Sequence, residues 1–208
     1  MKTVVVLVSG NGTNLQYLID NKKKDFDIVA VFSNKKNAYG LERARNHSIP
    51  ANYYRYDTTV DREIHDSILA YEVLKFKPDI VVLAGWMRIL SHSFIQHFEH
   101  LINLHPALPG KFPGVNAIER AYQYAQKVFK NTDEERYYSG AMCHRVVEEV
   151  DAGNVLSAQR VAIERNDTLD VVRGKIAQIE KQVLLNGIIV GGEIALGSLI
   201  VPKSVSIK

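Results

Sequence analysis

The chain of 208 residues contains one cysteine, Cys143, and therefore cannot form an internal disulfide. A disulfide-stapled secreted scaffold is excluded, and we expect a reducing, cytoplasmic location. Thirteen glycines and six prolines are too few for a collagen-like or low-complexity protein. Basic residues exceed acidic ones by only 26 to 23, without the clustered excess of a dedicated nucleic-acid binder, so no nucleic-acid partner is expected.

Long hydrophobic runs are also missing from the N-terminus. The apolar stretch at residues 3–8 is far shorter than the roughly 20 residues that span a bilayer, and no cleavage site follows it. We therefore expect neither a signal peptide nor a membrane partner. With 46% apolar and 24% charged residues, the composition is typical of a globular protein. We predict one domain at 1–190, with halves at 1–100 and 101–190, and a tail at 191–208.

What the sequence does contain is an alternation of short apolar runs and helical patterns. The order β-α-β-α predicts an open, mostly parallel, Rossmann-like sheet with helices on both faces, an α/β fold. We predict extended segments at 4–8, 27–32, 51–56, 79–84 and 101–104, and helices at 14–19, 40–47, 61–75, 91–100 and 116–129.

The second half has a different pattern. Residues 138–147 and 155–163 are predicted as two strands of an antiparallel C-terminal hairpin, joined by a turn at 151–154. A long helix is predicted over 168–185, and Gly191 with Gly192 is predicted to break the chain after it. The segment 192–208 is interpreted as an appended strand or a partly ordered tail.

A glycine-rich segment, Ser-Gly-Asn-Gly-Thr-Asn at 9–14, follows the first predicted strand and precedes the first helix. Glycines permit close backbone approach, and a helix N-terminus offers unpaired N–H groups, so the segment suits a phosphate. It is not a dinucleotide fingerprint, because Leu15 stands where the third glycine would be, and no Gly-Lys-Ser/Thr makes it a P-loop. The alternative is a turn that only joins strand to helix.

Asn103 and His105 form the sharpest chemical feature. They are two residues apart at a strand end, so both side chains point to the same side of the sheet. A carboxamide beside an imidazole can stabilise an oxyanion and move a proton. Asp151, if it lies close by, would orient the imidazole and favour its charged form. The alternatives are a capping asparagine, packed histidines at 105 and 144, and a turn aspartate.

The segment Gly-Trp-Met-Arg-Ile-Leu at 85–90 follows the strongest buried strand. An aromatic residue and apolar residues at a strand's carboxyl end predict a flat pocket whose backbone reads a heterocycle, although ordinary core is the alternative. His92, His97 and His100 lack metal-site spacing, and no Cys/His zinc pattern exists, so no metal is expected.

Five segments occur together in the order of a known family. They are Val-Ser-Gly-Asn-Gly-Thr-Asn-Leu at 8–15, Ala-Tyr-Gly-Leu-Glu-Arg-Ala at 38–44, the stretch 77–90, Asn-Leu-His-Pro-Ala-Leu-Pro at 103–109 and Val-Val-Glu-Glu-Val-Asp-Ala-Gly at 146–153. In these segments the chain resembles the phosphoribosylglycinamide formyltransferases of purine synthesis. The resemblance implies the formyltransferase fold, a nucleotide-binding half at 1–100 and a catalytic and folate-binding half at 101–190.

The resemblance also implies a reaction and its residues. The amine of 5-phosphoribosylglycinamide attacks the formyl group of the co-substrate 10-formyltetrahydrofolate, and no metal takes part. Asn103 matches the carboxamide that holds the oxyanion, His105 the catalytic histidine and Asp151 the aspartate that orients it, with His144 in support. The positions that match the nucleotide site are Gly12, Thr13, Asn14 and Glu180. Those that match the folate site are Arg62, Met87, Arg88, Ile89, Leu90, Asn103, Val147, Glu148, Glu149, Val150 and Asp151.

Three other functions, two enzymatic and one non-catalytic, are compatible with parts of this pattern. A formyltransferase that acts on a sugar-nucleotide amine shares the Asn, His and Asp chemistry, but a match in the glycine segment is less expected for it. A formyltetrahydrofolate hydrolase would normally carry an additional N-terminal domain. A non-catalytic nucleotide-binding module would need none of the three polar residues. Small-molecule substrates are expected as partners, with a monomer or homodimer as the assembly.

Overall fold

The computed structural model describes residues 1–22 and 24–193, and within them seven strands form one sheet of order β3-β2-β1-β4-β5-β6-β7. The strands are β1 (Lys2–Val8), β2 (Phe26–Ser33), β3 (Ala51–Tyr53), β4 (Ile80–Leu83), β5 (Leu101–His105), β6 (Arg136–Arg145) and β7 (Val155–Glu164). The helices are α1 (Thr13–Asn21), α2 (Tyr39–Asn46), α3 (Arg62–Leu74), α4 (His92–Ile95), α5 (Ala117–Asn131) and α6 (Leu169–Glu193). None of the helices in these residues is both long and apolar enough to cross a membrane.

The strand directions confirm the predicted sheet. Strands β1 to β5 pair in parallel with one another, whereas β6 is antiparallel to both β5 and β7. Parallel pairing requires crossovers, and the helical segments between the first five strands supply them. The antiparallel pair β6 and β7 is the predicted C-terminal hairpin.

Helices cover both faces of the sheet, as predicted. Val4, Val6 and Val8 of β1 pack into the core formed with α1, α2 and α6. Val5 and Leu7 alternate with them and pack into the core formed with α3 and α4. All five side chains are fully buried. Because both faces of this strand are covered, its sequence is a continuous apolar run rather than an alternating one.

The sheet has a switch point at β1, whose neighbours are β2 on one side and β4 on the other. Ser9 ties the carboxyl ends of these three strands together. Its N–H donates to the Gly85 carbonyl at 3.0 Å. Its hydroxyl donates to Asn34 Oδ1 at 2.7 Å and accepts the Met87 N–H at 2.8 Å. In an open α/β sheet this edge is where ligands bind.

Three predicted boundaries are wrong. The helix expected over 91–100 is the single turn α4, because the chain must turn after Ile95 to bring β5 beside β4 at Leu101. The extended segment expected over 51–56 ends at Tyr53, where its pairing with β2 ends. The hairpin connection is the longer loop 146–154 rather than a tight turn at 151–154, because β6 already ends at Arg145.

The predicted break at Gly191 and Gly192 is also wrong, since α6 continues through both residues to Glu193. Two glycines of this helix, Gly187 and Gly191, lie in close packing contacts. A Cβ on Gly187 would lie 2.2 Å from Cys143 Sγ, and a Cβ on Gly191 would lie 3.1 Å from Leu156 Cδ1. The helix therefore rests on β6 and β7 at positions where a larger residue would not fit. Residues 194–208 of the predicted tail lie outside the described residues.

Candidate active site

Asp151 is the centre of a buried polar cluster. Its Oδ2 lies 3.2 Å from His105 Nδ1 and accepts the Gly114 N–H at 2.8 Å. Its Oδ1 accepts from Asn103 Nδ2 at 3.2 Å and lies 3.3 Å from His144 Nε2. The side chains of Asp151 and His105 are only 8% and 4% exposed. The structure thus brings together the three residues that were predicted as catalytic and the histidine that was predicted to support them.

The sheet register explains this convergence. Asn103 and His105 are alternate residues of β5, so their side chains share one side, and both reach Asp151. His144 stands opposite Asn103 in the antiparallel pairing of β5 with β6, and Asn103 Nδ2 lies 3.2 Å from His144 Nε2. Asp151 reaches the cluster from the loop 146–154 with φ of 56°, a left-handed conformation that aspartate tolerates better than most residues.

Backbone carbonyls hold the far nitrogens of both histidines. His144 Nδ1 lies 2.8 Å from the Arg145 carbonyl, which can only accept, so Nδ1 is the protonated atom of that pair. His105 Nε2 lies 3.1 Å from the Phe112 carbonyl. Phe112 and Gly114 belong to the loop after β5 and have φ of 47° and 81°. Sequence reasoning missed these two backbone contacts, because a carbonyl or an N–H is present at every residue and leaves no distinctive signal.

The electrostatics of the cluster follow from burial and from its internal contacts. Burial lowers the pKa of His105, and the nearby Asp151 carboxylate only partly opposes this. Burial by itself would raise the pKa of Asp151, but the contact with His144, the hydrogen bond from the Gly114 N–H and the nearby His105 hold it below its ordinary value. The cluster therefore places an acidic carboxylate against a histidine whose charged form is disfavoured by burial and favoured by that carboxylate.

A cavity of about 450 Å³ opens beside this cluster. Its walls come from the segment 85–90, from β5, from the loop and helix start at 114–119 and from the loop 146–154. Several apolar side chains at its rim are exposed, which is typical of a ligand groove. These are Met87, Ile89, Val115, Val147 and Val150.

Most of the residues predicted for the folate site line this cavity. Arg62 and Glu149 are the two that do not, although both are exposed on the surface. The lining members of the predicted set are Met87, Arg88, Ile89, Leu90, Asn103, Val147, Glu148, Val150 and Asp151. Arg88 is held at the cavity by Tyr56, whose ring centroid lies 3.1 Å from the guanidinium carbon. No spacing or motif in the sequence pointed to Tyr56.

The glycine segment forms a second part of the site at the same edge of the sheet. Gly12 caps α1 in a left-handed conformation, with φ of 65° and no side-chain cap. The N–H groups of the first turn, including those of Thr13 and Asn14, have no partners within the helix and are oriented to bind an anion. Glu180 of α6 interacts with the Asn14 side chain. All four residues predicted for the nucleotide site are therefore neighbours.

Glu180 gives this part of the site a measurable pH dependence. Burial raises the pKa of its carboxyl to about 7, and the Asn14 contact only partly counteracts the shift. A raised pKa means that the folded protein binds a proton that the unfolded chain has released, so stability falls as pH rises from about 4.5 to about 7.

We expect Glu180→Gln to remove that loss of stability. The melting temperature of the wild type, relative to the variant, should fall between pH 5 and pH 8, with no further relative change above pH 8. The measurement is thermal unfolding of both proteins across this range. Glu149→Gln, at an exposed position, is the matched control. If the melting temperatures of the wild type and Glu180→Gln changed in parallel with pH, the raised pKa of Glu180 would be contradicted.

Among residues 1–22 and 24–193, no group of three or more His, Cys, Asp or Glu side chains has an arrangement that could hold a metal ion.

The fold and the site together define an α/β protein with a buried Asn, His and Asp cluster beside an apolar cavity at the carboxyl edge of its sheet. The profile of the formyl transferase family matches residues 2–188. The chain belongs to the formyl transferase family.

Relatives and solved structures agree with this assignment. A phosphoribosylglycinamide formyltransferase of Schizosaccharomyces pombe is 40% identical over 202 residues, covering 89% of this chain and 95% of the relative. One from Escherichia coli is 39% identical over 185 residues, covering 86% and 82%. The crystal structure of glycinamide ribonucleotide transformylase 1 from Symbiobacterium toebii has a TM-score of 0.83 at 29% identity, covering 96% of this chain and 92% of that one.

Proposed function

We propose that this chain is a phosphoribosylglycinamide formyltransferase. It transfers the formyl group of 10-formyltetrahydrofolate to the amine of 5-phosphoribosylglycinamide, giving the formamide and tetrahydrofolate in purine biosynthesis. The observation that carries the proposal is the buried cluster of Asn103, His105 and Asp151 at the wall of the apolar cavity. The similarity to formyltransferases of that name along most of the chain supports the same choice of substrates.

The chemistry requires a hydrogen-bond donor to the oxyanion and a proton acceptor, both close to the reacting carbon. The amine attacks the formyl carbon, and the carbonyl oxygen becomes an oxyanion in a tetrahedral intermediate. Asn103 Nδ2 stabilises that oxygen by turning one N–H away from its present partners, Asp151 and His144. Collapse of the intermediate breaks its bond to the folate nitrogen, which leaves with a proton.

His105 moves the proton between the attacking amine and the leaving nitrogen. Asp151 orients the ring through Nδ1, so Nε2 is the atom that exchanges the proton. The Phe112 carbonyl lies 3.1 Å from Nε2, so proton exchange with the substrate requires that this contact be given up. His144 keeps Asp151 in position from the opposite side.

The two substrates occupy the two parts of the site. The N–H groups of Gly12, Thr13 and Asn14 bind the phosphate, and Glu180 binds the ribose. The cavity takes the folate ring between the segment 87–90 and the segment 147–150, with Arg62 farther out toward the folate tail. In this arrangement the nucleotide-binding half 1–100 and the catalytic and folate-binding half 101–190 both contribute walls to one cavity. We place the protein in the cytoplasm as a monomer or homodimer, without a nucleic-acid or membrane partner.

The direct test is formyl transfer by the purified chain. A 10-formyl-5,8-dideazafolate is mixed with 5-phosphoribosylglycinamide, and the absorbance change of the folate product is followed. We expect turnover that requires the nucleotide. Turnover of the folate without the nucleotide would instead identify a hydrolase, and turnover only with an amino-sugar nucleotide would identify the sugar-nucleotide activity.

A further inference from the structure

Arg43 of α2 forms hydrogen bonds to the glycine segment and to α1, and it is not among the residues of the site described above. Its Nε donates to the Asn11 carbonyl at 2.7 Å, and its Nη1 donates to Gln16 Oε1 at 3.2 Å. The guanidinium carbon also lies 4.8 Å from the Tyr39 ring centroid. The guanidinium is planar, so two hydrogen bonds and one cation–π contact restrict its orientation.

The backbones of the two helix starts meet at the same junction. A Cβ on Gly12 would lie only 2.7 Å from Gly40 Cα, and the Gly40 N–H donates to the Gly10 carbonyl at 3.1 Å. The first turn of α2 is therefore packed directly against the glycine segment. Arg43, one turn further along α2, spans this junction and reaches α1 through Gln16.

The contact with Asn11 determines where the next N–H group points. A trans peptide is planar, with its carbonyl and its N–H directed to opposite sides. Holding the Asn11 carbonyl toward Arg43 therefore directs the Gly12 N–H away from Arg43. That N–H precedes the unpaired N–H groups of Thr13 and Asn14 in the first turn of α1. Arg43 thereby sets the direction in which this series of donors begins.

The charge of Arg43 is also available to an anion. Among the described residues, no carboxylate lies within ion-pair distance of its guanidinium, whereas Arg45 on the same helix pairs with Glu42 at 3.4 Å. An unneutralised guanidinium behind a set of N–H donors raises the local positive potential.

We propose that Arg43 is a positioning residue for the phosphate of the nucleotide substrate, acting through the peptide between Asn11 and Gly12. The proposal rests on the proposed function, because that function supplies the phosphorylated ligand. Arg43 does not touch the reacting atoms, so its effect belongs to nucleotide binding and not to the chemical step.

The test compares Arg43→Ala, Arg43→Lys and Arg45→Ala in steady-state kinetics. We expect Arg43→Ala to raise the KM for the nucleotide about tenfold or more, as for loss of a hydrogen bond from a charged group, with kcat and the folate KM nearly unchanged. Arg43→Lys keeps the positive charge but loses the planar guanidinium with its two donors. Most of the rise in the nucleotide KM should therefore remain. Arg45→Ala, the matched control, should behave as the wild type.

Binding of ribose 5-phosphate, measured by titration calorimetry, separates this proposal from the proposed function. If the wild type binds ribose 5-phosphate but transfers no formyl group to 5-phosphoribosylglycinamide, the proposed function fails. The affinities of the Arg43 variants for ribose 5-phosphate then still test the positioning role. Equal rises in both KM values with a lower melting temperature would reduce Arg43 to a structural residue and overturn the proposal. Full activity of Arg43→Lys would also overturn it, because charge alone would then suffice.

Discussion

His105→Ala and Asp151→Asn are each expected to lower kcat by roughly 10²–10⁴-fold, the usual contribution of a positioned proton-transfer group. His105 supplies the ring nitrogen that exchanges the proton. Asp151→Asn keeps the shape of the side chain but removes the charge that faces His105 Nδ1 at 3.2 Å. The double variant should be little worse than either single one, because both residues act on one proton.

Folate affinity should change little in these variants, since the cavity walls remain. Trp86 is the chain's one tryptophan and lines the cavity, so quenching of its fluorescence reports folate binding directly. His97→Ala is the matched control, because this exposed histidine lines a different cavity, at the other end of the strands. Near-normal turnover of either His105→Ala or Asp151→Asn would show that the proton takes another route.

Gly187→Ala should have the largest effect on stability. The new methyl group would lie 2.2 Å from Cys143 Sγ and 2.7 Å from Cys143 Cβ, in a fully buried contact between α6 and β6. Overpacking of this kind costs about 3 kcal/mol, which at this chain length corresponds to a fall of about 6–12 °C in melting temperature. Activity should fall as well, because His144 follows Cys143 in the strand that must move.

Gly174→Ala on the same helix is the internal control. A Cβ at this position would meet nothing within 4 Å, so the change should stabilise the protein by about 0.5–1 kcal/mol through helix propensity alone. Thermal unfolding of the two variants beside the wild type gives both values. Similar shifts for Gly174→Ala and Gly187→Ala would contradict the packing explanation.

Local patterns were sufficient to predict the two-sided burial of β1 and the side that two site residues share. The apolar run at 4–8 predicted a strand buried on both faces, and β1 is such a strand. Asn103 and His105 were predicted to share a side because a strand has a period of two, and both do reach Asp151. These properties depend on neighbours in the chain, so the sequence carries them directly.

Predictions failed where packing between distant segments outweighed local preference. Glycine normally ends a helix, yet α6 continues through Gly191 and Gly192 to Glu193, and the same helix uses Gly187 and Gly191 for close contact with β6 and β7. The predicted tight turn at 151–154 is a longer loop, in which Asp151 has a left-handed backbone and bonds to the Gly114 N–H. Neither the contact nor the conformation has a local signature.

The sequence by itself determined the order of strands and helices along the chain, the two-sided burial of β1 and the candidate residues at strand ends. These properties follow from spacing and side-chain chemistry. Only the tertiary structure decided that Asp151 meets His105, that Arg43 holds the Asn11 carbonyl and that Tyr56 stacks on Arg88. Each of these contacts joins residues that are separated by 32 to 46 positions. Their geometry depends on how the whole sheet and its loops pack, and no short segment encodes it.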